Sequence, residues 1–365
     1  MNKLVYSAIA LTAVSASAFA TDNGWVSLDQ EINNLNASLS AQNATGPKVG
    51  GYARIRWDTS SDVQINDPVS GTNHDLQGFS LQNVRVEVTG DAGSDYSYKV
   101  SFDLASGAAL LRDAWAKFKI GDQVYGKFGN FKANFLRTST VADNKTALLD
   151  RTILGGVGIW NTRDVGLELG FTYDTITVTV GGQNGTDLQG KETELCAKAA
   201  INLMGGGVGK VEGAYGAGDA TALTVGVSYL DDSNLDNSTA IAGEVELTSG
   251  PFSVAAEIVS LDTNLGFGID LDGDGIADVG SIDSTPWDIT GSYLFSDMWE
   301  GVIRYEDLDD TANTSVVTLG VNYFVSGHDI KWTAQYSNLA TDATLSGGGG
   351  SADTSVVSIG LSVSL

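Results

Sequence analysis

The sequence has little cysteine, little proline and few basic residues. Its 365 residues include one cysteine, Cys196, so an intramolecular disulfide is excluded. Four prolines stand against 45 glycines, a balance that suits many strands joined by tight turns. Twenty Lys and Arg residues face 45 Asp and Glu residues, giving a net charge of −25. Such a chain repels anions at long range, and this charge argues against nucleic acid as a partner.

The sequence also lacks the residues of a catalytic site. Its two histidines, His74 and His328, are isolated, and no nucleophile is placed beside either of them by a motif. There is no Gly-x-Ser-x-Gly, His-Glu-x-x-His or phosphate-binding loop. The sequence therefore predicts that the protein is not an enzyme.

Long apolar runs are missing after the N-terminus. Residues 1–20 have the form of a signal peptide, with Lys3 before an apolar stretch and Ala18-Phe19-Ala20 as a cleavage site after Ala20. The alternative is a membrane anchor, but the apolar stretch is shorter than the roughly 20 residues of a spanning helix. We therefore expect an exported protein that is either soluble or crosses a membrane as a β-barrel.

Residues 21–48 differ from the rest of the chain. Leu28, Ile32, Leu35 and Leu39 recur at the spacing of a short heptad seam. This pattern predicts an N-terminal helix on the periplasmic side. Such a short helix is marginal alone, so it either forms a coiled coil with neighbouring subunits or lies as a single amphipathic helix.

Residues 49–365 alternate apolar and polar side chains in segments of about ten, which is typical of a membrane β-barrel. The segments 52–58, 98–104 and 330–336 show this pattern, and outward aromatics such as Trp287, Phe324 and Trp332 predict an interfacial girdle. A soluble sandwich also alternates, but its dry core would not accept the charges that occupy the polar face here.

Turn lengths give the number of strands. Short turns at 90–92, 121–122, 174–175, 249–251, 295–297 and 325–327 fall on one side only if 205–219 is one long turn. The fold is then all-β, an antiparallel transmembrane β-barrel of about 16 strands with a short N-terminal helical segment. Long loops follow on the other side, at 59–77, 131–164, 184–192, 231–238, 261–285, 309–313 and 340–353.

The longest loop, 131–164, is the candidate constriction. A loop of this length is usually functional, and it is less acidic than the others. We predict that it folds into the barrel and places its basic residues at the constriction; the alternative is a solvated outer loop. These residues are Lys132, Arg137, Lys145 and Arg151.

Charges on the polar face are unevenly distributed. The early strands contribute basic residues, Arg54, Arg56, Arg85, Lys99, Lys117 and Lys127, whereas later strands contribute Glu244, Glu246 and Glu257. Two lumen walls of opposite charge would set up a transverse field across the pore. The alternative is local pairing of charges between neighbouring strands.

The loop 270–278 resembles the first part of a calcium-binding loop. The ligands would be Asp270, Asp272, Asp274, the backbone carbonyl of Ile276, and Asp278, with Gly275 allowing the turn. Position twelve is Ser281 where such loops have Glu. Two alternatives stay open for this loop: it is an extracellular loop that binds Ca²⁺, or it is an acidic turn that binds no ion.

The stretch 78–156 resembles the phosphate-selective porin O and P family. The similar text is LQNVRVEVTGDAGSDYSYKVSFDLA, then LRDAWAKFKIGDQVYGKFGNFKANF, then LLDRTILGG. The resemblance implies a homotrimeric sixteen-stranded porin whose third loop folds inward. It does not imply phosphate specificity, because the chain lacks the full row of basic lumen residues on which that specificity rests. A second departure from the family is the C-terminal residue, which is Leu365 where such barrels usually end in Phe.

Three functions remain open. The first is an outer-membrane porin, embedded in lipid, for passive diffusion of small hydrophilic solutes and ions. The second is an anion- or phosphate-selective channel. The third is a structural or adhesive outer-membrane protein whose pore is plugged.

Overall fold

The barrel is built from strands that follow one another along the chain. The computed structural model describes residues 46–66, 73–185, 193–232, 238–262, 283–310, 312–342 and 353–364. The strands are β1 Lys48–Asn66, β2 Asn73–Ala92, β3 Tyr96–Asp103, β4 Leu110–Lys119, β5 Val124–Lys132, β6 Arg163–Tyr173, β7 Ile176–Gln183, β8 Glu194–Met204, β9 Ala222–Asp232, β10 Ser238–Ser249, β11 Phe252–Asp262, β12 Asp283–Ser284, β13 Trp287–Ser296, β14 Trp299–Asp307, β15 Ser315–Ser326, β16 Ile330–Ala340 and β17 Thr354–Ser364.

The sheet closes on itself. Neighbouring strands pair antiparallel, and β1 also pairs with β17, from Tyr52 opposite Ser364 to Thr59 opposite Val357. The two-residue β12 and the longer β13 both pair with β11, so they fill one position in the wall. The described residues thus form a closed antiparallel barrel of sixteen spanning positions, which confirms the predicted barrel and leaves no free sheet edge among them.

Connections alternate between a turn end and a loop end. At the turn end, six of the seven connections are two to four residues long, and the seventh is 205–221. This parity confirms the argument from turn lengths. Several boundaries differ from the prediction. Strand β2 continues to Ala92, so its turn is 93–95, and β1 continues to Asn66, which shortens the loop predicted at 59–77.

The outward and inward faces of the barrel wall differ in polarity, as the alternation predicts. Outward side chains such as Ile55, Phe128 and Ile359 are between 42% and 60% exposed in the isolated chain, as a lipid-facing belt would be. Most inward side chains are polar, and most are buried. Phe324 is an exception to the predicted girdle: it points inward, is 2% exposed, and stacks on Tyr215.

Short helices occur between β5 and β6. They are one-turn elements, at Arg137–Thr140, Asp143–Lys145, Ile153–Gly156 and Gly158–Asn161. In the part of the chain that the structure describes, no helix has the length and apolar character needed to cross a membrane. The predicted signal peptide and almost all of the predicted helical segment at 21–48 lie outside the described residues.

Candidate functional site

The connection between β5 and β6, residues 133–162, folds into the barrel; we call it loop 3. Its Phe135, Leu136 and Trp160 are fully buried. The rings of Phe135 and Trp160 lie 4.8 Å apart, and the Trp160 indole donates to the Leu154 carbonyl at 2.7 Å. This apolar part of loop 3 packs on an inward apolar patch near the loop ends of β8–β11, formed by Cys196, Leu230, Ala240, Ala242, Val259 and Leu261.

Glutamates of the wall cap the helices of loop 3. A helix N-terminus leaves backbone N–H groups without partners inside the helix, and an acceptor carboxylate suits them. The first helix gives its Arg137 N–H to Glu244 at 2.9 Å and its Thr138 N–H to Glu257 at 3.0 Å.

The same arrangement recurs at a later helix of loop 3. The Ile153 N–H donates to Glu306 at 2.5 Å. In both places, irregular backbone inside the barrel finds the partners that an apolar lumen could not offer.

Donor side chains of the wall bind the loop carbonyls. The Phe135 carbonyl accepts from Lys198 at 3.1 Å and from Ser228 at 2.7 Å. Three more loop carbonyls accept from Lys331, Asn322 and Arg304, at 2.5 Å, 2.8 Å and 2.9 Å. Loop 3 is therefore bonded to β8, β9, β14, β15 and β16, and it reaches across the lumen.

Two inward glycines let loop 3 approach the wall closely. A Cβ added at Gly320 on β15 would overlap the side chain of Leu148, and one added at Gly360 on β17 would overlap Leu149. Because neither position carries a side chain, the two leucines of the loop pack directly against the sheet.

Four carboxylates face one another across neighbouring strands beneath loop 3. Glu244 is opposite Glu257, Glu257 is opposite Asp288, and Asp288 is opposite Glu306. We call these four residues the acidic row. Like charges directly opposite destabilise a sheet, so the N–H donors of loop 3 offset part of that cost. Within the described ranges, no group of three or more acidic, His or Cys side chains has the arrangement of a metal site.

An open part of the lumen lies on the other side, along β2–β6. It is a cavity of about 370 Å³. In the described part of the chain, its lining includes eight basic and four acidic side chains. The basic ones are Arg85, Lys99, Lys117, Lys127, Lys132, Arg151, Arg163 and Lys210, and the acidic ones are Glu87, Asp113, Asp143 and Glu168.

Ion pairs neutralise part of this lining. Lys99 pairs with Glu87 at 2.8 Å, and Lys127 pairs with Glu168 at 2.8 Å. Arg163 pairs with Asp113 at 3.0 Å.

Three lysines of the lining have no carboxylate within 4 Å among the described residues: Lys117, Lys132 and Lys210. The Lys117 ammonium lies 3.6 Å from the ring centre of Tyr125, which holds it without cancelling its charge. Lys132 donates to the Ser139 carbonyl at 2.7 Å. The cavity therefore keeps an excess of positive charge.

Asp143 joins loop 3 to this basic wall. Its carboxylate contacts Arg151 at 2.5 Å and Arg85 at 3.5 Å, and it accepts from the Tyr52 hydroxyl at 3.1 Å. Burial alone would raise the pKa of the Asp143 carboxyl, but Arg151, followed by Arg54 and Lys132, holds that pKa well below its usual range. Asp143 is therefore an anion at neutral pH and fixes the loop to the wall.

The structure divides the predicted constriction residues. Lys132 and Arg151 line the cavity. Arg137 turns away from it and pairs with Glu246. Lys145 is exposed and does not line the cavity.

The predicted lumen residues divide in a similar way. Arg85, Lys99, Lys117 and Lys127 line the cavity, whereas five others contact loop 3. These five are Arg54, Arg56, Glu244, Glu246 and Glu257. The basic and acidic walls consequently do not face each other across open water, because loop 3 lies over the acidic one. The predicted calcium loop, 270–278, lies outside the described residues and stays a prediction.

Two features were not predicted from the sequence. The inward apolar patch could have been predicted from the sequence, because Val259 and Leu261 lie on the same face of β11 as Glu257. The inward path of 205–221, which brings Lys210 to the cavity, had no clear signal, since its glycines indicate only a turn.

A family model described as phosphate-selective porin O and P matches residues 52–365. The chain belongs to this porin family. No curated protein sequence matches the porin. Solved structures with the same fold include an anion-selective porin from Comamonas acidovorans, with a TM-score of 0.59 and 9% identity over 88% of this chain and 99% of that one.

Two further structures are similar to this porin. The outer-membrane channel DcaP of Acinetobacter baumannii has a TM-score of 0.58 and 15% identity over 87% of this chain and 97% of that one. The trimer form of OmpT from Vibrio cholerae has a TM-score of 0.55 and 13% identity over 88% and 99%. The protein is an outer-membrane porin that passes small hydrophilic solutes and ions by passive diffusion. Its turn end therefore corresponds to the periplasmic side and its loop end to the outside.

Proposed function

We propose that this porin favours small anions at its constriction while it admits small hydrophilic solutes in general. The observation that carries the proposal is the lining of the cavity, which has eight basic and four acidic side chains among the described residues, in a chain whose net charge is −25. A narrow passage of one charge sign concentrates ions of the opposite sign.

The acidic residues of the lumen do not reverse this preference. Glu257, Asp288 and Glu306 are at most 4% exposed, because loop 3 covers them. A permeating ion therefore meets the basic wall at close range and the acidic row only through the loop. The name of the family and the anion-selective porin of similar fold make phosphate-like anions the first solutes to test.

The test is the reversal potential of single channels in a planar bilayer with a KCl gradient. We expect the sign that corresponds to chloride preference. Lys117→Gln should lower the chloride-over-potassium permeability ratio roughly threefold, since it removes one unpaired charge at the passage. Lys119→Gln is the matched control on the same strand, because Lys119 is exposed and lies outside the lining. A wild-type channel that prefers potassium would contradict the proposal.

We also propose that the porin is a homotrimer in outer-membrane lipid and that its signal peptide is cleaved after Ala20. The trimeric OmpT structure of similar fold supports the first part. The mass of the mature chain, measured on protein from outer membranes, checks the cleavage site, and light scattering in detergent checks the trimer. Swelling of liposomes by small sugars distinguishes a porin from a plugged structural protein, which would not swell them.

A further inference from the structure

The connection 205–221 is unusual among the turns of the periplasmic side. The other six have two to four residues, whereas this one has seventeen and joins two adjacent strands, β8 and β9, that a short turn could link. A long connection at the end of a barrel where short turns are the rule needs a function.

Its contacts show that it enters the lumen and reaches β13–β15. The Ala214 N–H donates to Ser292 on β13 at 2.8 Å and to Glu300 on β14 at 2.7 Å. The Tyr215 ring stacks on Phe324 of β15, with ring centres 3.7 Å apart. Ala214 is 2% exposed.

Glycine is required along this path. Gly213 has φ +89°, a conformation that residues with a side chain rarely adopt, and an added Cβ would lie 2.6 Å from the Glu300 carboxylate. The sequence at this point therefore permits the close approach on which this path depends.

The same connection also makes hydrogen bonds to loop 3. The Arg137 guanidinium donates to the carbonyls of Gly209 at 2.6 Å and Val211 at 2.5 Å. The Glu212 N–H donates to the Lys145 carbonyl at 3.0 Å, and the Glu212 carboxylate accepts from the Ala147 N–H at 3.0 Å.

The Glu212 carboxylate also lies 3.5 Å from the Arg304 guanidinium. Loop 3 and the connection thus form one continuous layer over the acidic side of the lumen. Between these fixed points, Lys210 lines the remaining cavity.

We propose that 205–221 is a second constriction element, which enters from the periplasmic side and meets loop 3, and that Lys210 determines specificity in the pore. The effect of Lys210 on anion preference rests on the proposed function. The effect of the connection on pore size does not depend on it.

The first experiment removes the element. A variant in which residues 207–218 are deleted should show a roughly twofold or larger rise in single-channel conductance, since conductance follows the open cross-section of the pore. A second variant, Tyr215→Ala with Glu212→Ala, keeps the chain length and releases the anchors, so it gives the answer if the deletion fails to fold. Conductance equal to that of wild type in the variant that folds overturns the proposal.

The second experiment tests Lys210 by charge. Lys210→Gln should lower the chloride-over-potassium permeability ratio roughly threefold with nearly unchanged conductance, and Lys119→Gln, the exposed control, should not. The wild-type reversal potential alone decides the proposed function, whereas the shift from wild type to Lys210→Gln decides the role of Lys210. If wild type prefers potassium, Lys210→Gln should still raise that preference, and a ratio equal to that of Lys119→Gln overturns the role.

Discussion

In the part of the chain that the structure describes, the two sides of the lumen differ in their charges, and loop 3 covers one of them. On the basic side, β2–β6, lysine and arginine side chains line a cavity. On the acidic side, β10–β14, buried carboxylates bind the backbone of loop 3. The difference teaches that inward charges in a barrel have two places: some line the passage, and others satisfy the irregular backbone that shapes it.

This contrast explains how an acidic protein can have a cavity lined mainly by basic side chains. A docked loop presents backbone N–H donors at its helix N-termini, and these bind carboxylates of the wall. Its backbone carbonyls are acceptors, and these bind cationic side chains. Here the loop covers the acidic row, while Lys117 and Lys210 stay open to the cavity. Each prediction below disturbs either the docking of loop 3 or the charge of the cavity.

The largest effect is expected from Trp160→Ala. Removing a fully buried indole from the apolar patch should cost about 3–5 kcal/mol of loop docking, so loop 3 should leave the acidic side and conductance should rise. Single-channel recording measures this. Trp287→Ala is the control, because Trp287 faces outward and is 38% exposed. Unchanged conductance in Trp160→Ala would show that the apolar patch does not hold the loop.

The next largest effect is expected from Glu257→Ala. It leaves the buried Thr138 N–H and hydroxyl without their acceptor, at a cost of about 1–3 kcal/mol, and should produce brief openings to a higher conductance. Glu257→Gln keeps one acceptor oxygen and should be milder. If both variants record like wild type, the capping of loop 3 by the acidic row contributes nothing to closure.

Gly360→Val acts in the opposite direction. The added side chain would overlap Leu149 and push loop 3 away from β17 into the remaining passage, which should lower conductance. Gly291→Val is the matched control, because an added Cβ at Gly291 meets only Ile303, at 3.7 Å. Equal conductance for the two variants would contradict the close packing of loop 3 on the wall.

The smallest effect concerns pH. Burial, followed by the nearby ammonium of Lys127, lowers the pKa of Lys210; Glu168 opposes this shift, and Lys198 and Lys117 add to it. A lysine with a lowered pKa is charged below that pKa and loses its charge as pH rises through it. The difference in permeability ratio between wild type and Lys210→Gln should therefore shrink at a lower pH than an exposed lysine would require. A difference that stays constant up to the usual lysine pKa of about 10.4 would contradict this.

The barrel itself could be predicted from the sequence because a closed barrel with both chain ends on one side needs an even number of strands. Alternation identifies the two faces of a strand, and turn lengths assign the two ends, so sixteen spanning positions followed. The inward position of Phe324 was missed because aromatic residues serve equally well in a lipid girdle and in a buried stack.

The contents of the lumen were harder to predict. Alternation shows that Glu244 and Lys117 point inward, but it does not show which inward residues a loop covers. That depends on long-range contacts, such as Thr138 with Glu257, which are 119 residues apart. The glycine-rich sequence of 205–221 is compatible with a flexible turn as well as with the observed path into the lumen.

The single cysteine offers a native reporter of loop movement. Cys196 lies on the inward face of β8, is 7% exposed, and belongs to the cluster that receives Trp160. While loop 3 is docked, a water-soluble thiol reagent is screened from it. Labelling of the unmodified protein therefore measures how often the lumen unpacks, and no engineered probe is needed to follow it in intact cells.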